Sequence, residues 1–153
     1  AYAVLLKPLP YRNPEQLVRL YTEWPTLHKG ALRRSWTSPP EFDDLSRDLA
    51  SFQALGAWAA GGVNLSGGGA QEPMRVNATQ VTGGLMGALG AAPLYGRAIA
   101  PADDQPGIPR VVVLSFSLFQ GIFGGDRDVI GRTVQVNGGN ATVVGVMPPE
   151  FRF

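Results

Sequence analysis

Hydrophobic positions recur at two periods along this chain, and the alternation between them outlines its elements. Ser38-Pro39-Pro40-Glu41 is a capping-box pattern with proline at the first helical position, and Phe42, Leu45, Leu49 and Phe52 follow at spacings of three and four. That spacing predicts a helix. Helical spacing returns at Leu85, Met86 and Leu89, opened by Thr82 or Gly83 and ended by Gly90. It occurs a third time at Leu118, Phe119, Ile122 and Phe123, stopped by Gly124-Gly125.

Strand-like patterns lie between the helices. Lys7 to Tyr11 is held extended by its prolines, and Leu17 to Thr22 alternates with Val18 and Leu20 on one face. Phe52 to Leu65 and Glu72 to Val81 read as two antiparallel strands joined across Gly67-Gly68-Gly69. Residues 23–37 read as loop, and Pro93 to Pro109, with four prolines, as a long connection. Arg110 to Ser115 is a β-branched run. Thr133 to Asn137 and Ala141 to Val146 then form a hairpin, for which Gly138-Gly139 fits a two-residue primed turn. The order predicts an α+β domain with mixed or antiparallel sheets and a few short helices.

Composition narrows the classes of function. The chain has 153 residues, 44% of them apolar, enough to bury roughly 68–70% of the unfolded surface. Its 20 glycines and 13 prolines suit a folded, loop-rich chain. Thirteen basic and twelve acidic residues are spread evenly, which argues against nucleic acid as a partner. With no cysteine, disulfides, thiol nucleophiles and zinc-thiolate sites are excluded together. No run reaches the ~18–20 apolar residues that span a bilayer. Ala1-Tyr2-Ala3-Val4-Leu5-Leu6 begins abruptly, without an initiator Met, and reads as the end of a longer segment.

Candidate chemistry is sparse. His28 is the only histidine and sits in a polar loop beside Lys29, with no Gly-x-Ser-x-Gly elbow to accompany it. The acidic pairs Asp43-Asp44 and Asp103-Asp104, with Asp126 and Asp128, offer carboxylates for acid/base work or a hard cation. Helix starts and turns account for them more simply, and no calcium-loop spacing is present. Gly61-Gly62 and Gly67-Gly68-Gly69 lack a phosphate-binding signature and read as turns. The expectation is therefore no catalytic, cofactor-binding or metal site. What remains is a candidate interaction surface of Trp24, Arg33, Arg34, Trp36 and Trp58, suited to a protein surface or, alternatively, to a carbohydrate or peptide ligand.

Taken in order, a set of modest landmarks resembles the MacB-like periplasmic core domain of ABC transporter permeases, in particular the acidobacterial-type group. They are Leu5 to Tyr11 with Pro14 to Val18, Ser38 to Phe42, Asn64 to Gly67, Arg75-Val76, and Leu89-Gly90 to Gly96-Arg97. Pro109 to Val113, Phe123 to Asp126, Val129 to Thr133 and Val143 to Pro149 follow. Gln120-Gly121-Ile122 and Gly83-Gly84 depart from the usual bulkier segments and are expected to loosen their helices by ~1 kcal/mol per glycine.

The resemblance implies that residues 1–153 are part of one extracytoplasmic core domain, with candidate lobes at 1–81 and 82–153. It implies a transmembrane helix before Ala1, more of the domain and three further spans after Phe153, and a place on the periplasmic side of the cytoplasmic membrane. The implied role is non-enzymatic, coupling ATP hydrolysis to export or mechanical work. ATP would then be bound by a separate cytoplasmic subunit or domain, with no cofactor in this chain. The implied partners are an ABC ATPase subunit, a second permease copy or heterodimer partner, and a membrane-fusion protein.

Overall fold

A computed structural model describes residues 11–20, 37–48, 50–70 and 72–152. Its centre is a sheet built on the hairpin near the C-terminal end. There β5 (Thr133–Val136) pairs antiparallel with β6 (Gly139–Val146), from Thr133 opposite Thr142 to Val136 opposite Gly139. The turn is Asn137-Gly138, one residue earlier than the expected Gly138-Gly139. Both residues adopt positive φ, 51° and 79°. Asn-Gly is the pair that a type I′ turn favours, because asparagine tolerates the left-handed region and glycine enters it freely.

On the other side of β5 lies β1 (Trp58–Gly67), and beyond it β2 (Met74–Val81), in an antiparallel hairpin with Trp58 opposite Val81 and Leu65 opposite Met74. The expected extended stretch from Phe52 becomes ladder only at Trp58. Before that, the Ala57 N–H donates to Thr82 Oγ1 and the Thr82 N–H to the Ala57 carbonyl, so residues just short of β1 are bound to the approach to α2 (Gly83–Ala88).

β6 exchanges partners along its length. The Val143 carbonyl and N–H bond Gly131 and Arg132, ahead of β5, whereas the Val144 and Val146 carbonyls accept from Arg97 and Leu94 around β3 (Tyr95–Gly96). β4 (Val111–Leu114) runs parallel to β6, with a register shift between Val112 and Val113 that leaves Val144 unmatched. Ala141, Val143 and Gly145 are buried at alternate positions, and Val146 is buried directly after them. Strict alternation would have exposed Val146; the irregularity ahead of it coincides with that change of pattern. The strand path is β2-β1-β5-β6-β3, with β4 also on β6. A short strand at Tyr95–Gly96 was not expected within the proline-rich connection.

The parallel β4–β6 pairing requires a crossover, and α3 (Phe116–Phe123) lies within it. Ser115 caps α3, its Oγ accepting from the Leu118 N–H at 3.3 Å, and Gly124 ends it at φ 62°. Phe119 and Phe123 carry the helix onto Leu65, Leu114, Val129, Val134, Ala141, Val143 and Val146. Removing side chains of this size from water contributes about 1.5–3 kcal/mol each.

Two further expectations are corrected. Leu17–Leu20 forms no strand with the described residues: it follows a 3-10 turn at Pro14–Gln16, and Val18 is 65% exposed. With no ladder beside it, alternation alone cannot make a strand; Tyr21 and Thr22 lie outside the described residues. The capped helix α1 (Pro39–Asp48) does form, with the Ser38 N–H and Oγ both donating to Glu41, but it stops before Phe52. The Ala50 N–H turns back to the Asp48 carbonyl and breaks the helical series.

The first and last described segments meet. Tyr11 donates its hydroxyl to the Arg152 carbonyl at 2.7 Å, and its ring stands edge-on to Phe151 at 6.2 Å. The Arg12 N–H bonds the Leu89 carbonyl beyond α2.

Candidate functional site

Of the five residues expected to form an interaction surface, Trp58 is described. Trp24, Arg33, Arg34 and Trp36 lie outside the described residues, as does His28. Trp58 opens β1 and is 40% exposed, with the Arg19 guanidinium 4.7 Å above its ring. That cation occupies one π-face, so stacking of a sugar or base there would have to displace it. A second such pair, Arg127 over Tyr95 at 4.1 Å, sits at the junction of β3 and the core. Sequence reasoning missed it because Tyr95 lies in the unassigned connection.

Asp103, Asp104 and Asp126 hold backbone. Asp103 accepts from Arg97 Nη1 and Nη2 at 2.7 and 2.8 Å and from the Ala100 N–H at 2.8 Å. The guanidinium hydrogen bonds, aided by the Ala100 N–H and the positive charge and opposed by desolvation, hold the Asp103 carboxyl below its ordinary range; the same pair raises Arg97. Asp104 accepts from the Gly83 N–H and so ties the 3-10 turn Pro101–Asp104 to the start of α2. Asp126 accepts from the Asp128 N–H and from Arg132 Nη2, in that order of influence, and its carboxyl is lowered. Asp44 pairs with Arg47 on the exposed side of α1. Among the described residues, no group of three or more His, Asp and Glu side chains is arranged to hold a metal.

The glycine loop likewise points away from phosphate chemistry. The Ala70 N–H closes on the Gly67 carbonyl, and Arg132 Nη1 donates to the Gly68 carbonyl at 3.3 Å. A phosphate cradle presents converging N–H groups instead. Two open grooves on the described surface lie beside these elements. One of about 480 Å³ runs along α2, lined by Leu55, Gly84 and Ile99, and another of about 310 Å³ lies between β2 and α3, lined by Val76, Ser117 and Leu118. Trp58 lines neither.

The outer part of the β1–β2 ribbon had a signal in the sequence that went unread. Trp58–Gly62 is exposed and extends past the end of β5. Its run Ala59-Ala60-Gly61-Gly62 carries no charge and no side chain longer than a methyl group.

Comparison with known proteins agrees with this architecture. The chain is similar to the extracellular domain of the noncanonic ABC-type transporter YknZ from Gram-positive bacteria, with a TM-score of 0.60 and 18% identity, over 72% of this chain and 56% of that one. It is also similar to the periplasmic region of MacB from Actinobacillus actinomycetemcomitans, with a TM-score of 0.56 and 18% identity, over 71% and 51%. The chain thus spans about half the length of either structure. A search of curated proteins gives no match. The model of the MacB-like periplasmic core domain family matches residues 9–153, nearly the whole sequence, and the chain belongs to that family.

Proposed function

We propose that this chain is a non-catalytic extracytoplasmic domain of an ABC-type permease, which moves as a packed body when transmembrane segments elsewhere in the protein respond to ATP hydrolysis by a separate cytoplasmic subunit or domain. The observation that carries this reading is the family match from residue 9 to residue 153. The packed body is the sheet with α3 on it, whose core includes five side chains with almost no exposure. A body of this kind transmits displacement because its interior is close-packed and resists deformation. The partners on this reading are an ABC ATPase, a second permease copy or heterodimer partner, and a membrane-fusion protein. No cofactor is assigned to the chain itself. Placement in the acidobacterial-type group rests on the sequence segments alone.

Topology and coupling are tested separately in the full-length protein. Ala102→Cys introduces a thiol at an exposed position of a chain that has none. Labelling of intact cells by a membrane-impermeant maleimide is expected; labelling only after lysis would remove the extracytoplasmic placement. Restraining the domain by cross-linking it to a neighbouring subunit should slow ATP turnover by the partner ATPase in membranes. An unchanged rate with complete cross-linking would sink the coupling.

A further inference from the structure

The β5–β6 turn holds a reactive pair, and we propose that Asn137-Gly138 is a self-modification site gated by Asn64, at which the asparagine deamidates through a cyclic imide when the turn comes away from β1. It is the one place in the sequence where glycine follows asparagine. That order matters because the nucleophile in the cyclisation is the backbone nitrogen of the next residue, and glycine presents it with no side chain in the way. Both residues are exposed. A Cβ on Gly138 would meet nothing within 4 Å, and among the described residues its N–H has no acceptor. The nucleophile is therefore uncrowded, unengaged and open to water.

The other reactant is held back. The Asn64 N–H donates to Asn137 Oδ1 at 2.9 Å, and the Asn137 N–H donates to the Asn64 carbonyl at 2.8 Å. The first bond fixes the side-chain amide on β1, and the second fixes the backbone that carries it. Cyclisation needs Asn137 Cγ within about 3–3.5 Å of the Gly138 nitrogen, so the side chain must turn off Asn64 and over its own backbone. At about fivefold for each hydrogen bond given up, the two together slow the reaction at least about tenfold. Asn140 supplies the contrast: it is also exposed, but Ala141 follows it and it lies in the ladder opposite Gln135.

Water is the only co-reactant. The Gly138 nitrogen bonds to Asn137 Cγ, the Cγ–Nδ2 bond breaks, and ammonia leaves with the proton given up by the Gly138 N–H. Water then opens the five-membered imide on either side of its nitrogen. Opening at Cγ leaves aspartate at 137, whose carboxylate can still accept from the Asn64 N–H. Opening at the main-chain carbonyl leaves isoaspartate and routes the chain through Cγ, adding one backbone atom to a turn whose register sets Val136 opposite Gly139. Either product takes the formal net charge from +1 to zero. The site thus keeps an irreversible record of openings between the β5–β6 turn and β1.

Trypsin frees residues 133–152 as one peptide, because Arg132 and Arg152 bound a stretch with no other Lys or Arg. The full-length protein is kept folded in mildly alkaline buffer, then digested and sequenced by mass spectrometry, and the same peptide is incubated after release. The peptide is expected to form imide and isoaspartate at Asn137 far ahead of Asn140, and the folded protein to do so at least about tenfold more slowly. Asn64→Pro, which removes the donor to Oδ1, should raise the rate in the folded protein about fivefold with an unchanged circular dichroism spectrum. Should that variant fold poorly, mild urea replaces it: isoaspartate at Asn137 should rise in parallel with hydrogen exchange at the Asn64 amide. A peptide that reacts no faster at Asn137 than at Asn140 would remove the site. A folded protein that deamidates as fast as the peptide, a folded Asn64→Pro that reacts no faster than the parent, or exchange and deamidation that do not move together would overturn the gate.

Discussion

Replacing Gly145 by alanine tests the most tightly constrained point of the sheet. Gly145 lies opposite Gly96, where β3 meets β6, and a Cβ at Gly145 would fall 2.2 Å from the Arg97 carbonyl oxygen and 3.1 Å from that of Tyr95. Both obstacles are backbone and cannot rotate away. β3 must therefore move off β6, which breaks the Arg97 N–H bond to Val144 at 2.8 Å and the Leu94 N–H bond to Val146 at 2.7 Å. At about 1 kcal/mol each, these two bonds account for about 2 kcal/mol. The same displacement separates Tyr95 from Phe119, whose rings lie 5.8 Å apart, at a further cost of about 0.5–1.5 kcal/mol. The expected loss is about 3 kcal/mol, measured by urea denaturation, with the Arg97 amide losing its protection in hydrogen exchange. Gly61→Ala is the control, since it meets open space and exchanges a flexible residue for a stiffer one in a strand. If Gly145→Ala were no more destabilising than Gly61→Ala, the account of β3 as a strand locked by close backbone approach would be refuted.

Phe119→Ala should cost about 3–5 kcal/mol in chemical denaturation, because the side chain is 1% exposed and lies between the sheet and the rest of α3. Asn137→Ala should lower the melting temperature by an amount equivalent to about 1–2 kcal/mol, through both a left-handed backbone and the lost acceptor for the Asn64 N–H. Acidification should erode the contribution of Asp103: its carboxyl is lower in the folded chain than in the unfolded one, so the stabilisation is present above the ordinary carboxylate range and disappears as pH falls through the depressed value. Melting curves of the parent and Asp103→Asn should therefore converge between about pH 5 and pH 2, and a constant gap would contradict the assignment.

How legible the fold was depended on whether local chemistry or distant neighbours decided each element. The capped start of α1, the Ser115-to-Gly124 limits of α3 and the two hairpins were written into side-chain oxygens, glycines and alternation within a few residues. β3 was not, since two residues in a proline-rich connection become a strand only where β6 offers Val144 and Val146 to them. The bulge at Val144 was hidden for the same reason, because it reflects the parallel register of β4 rather than any local signal. Leu17–Leu20 shows the converse, a strand-like pattern with no described ladder to join. Gly83 looked like a loosening residue, yet a Cβ there would meet the Ala100 carbonyl oxygen at 2.3 Å, so the close approach of α2 to that segment depends on it. Within the candidate surface, Trp58 was placed at an exposed strand start, but the occupation of its ring by Arg19 depends on a partner far away in the sequence and left no pattern to read.

The meeting of Tyr11 with Phe151 and Arg152 joins positions 141 residues apart for the Tyr11–Arg152 bond. Tension applied between these two points would load the Tyr11–Arg152 hydrogen bond and the Tyr11–Phe151 ring contact early, with the sheet ladders still unstrained. The two contacts therefore act as a weak clasp across a stiff body: a modest pull parts the two segments while leaving the core folded.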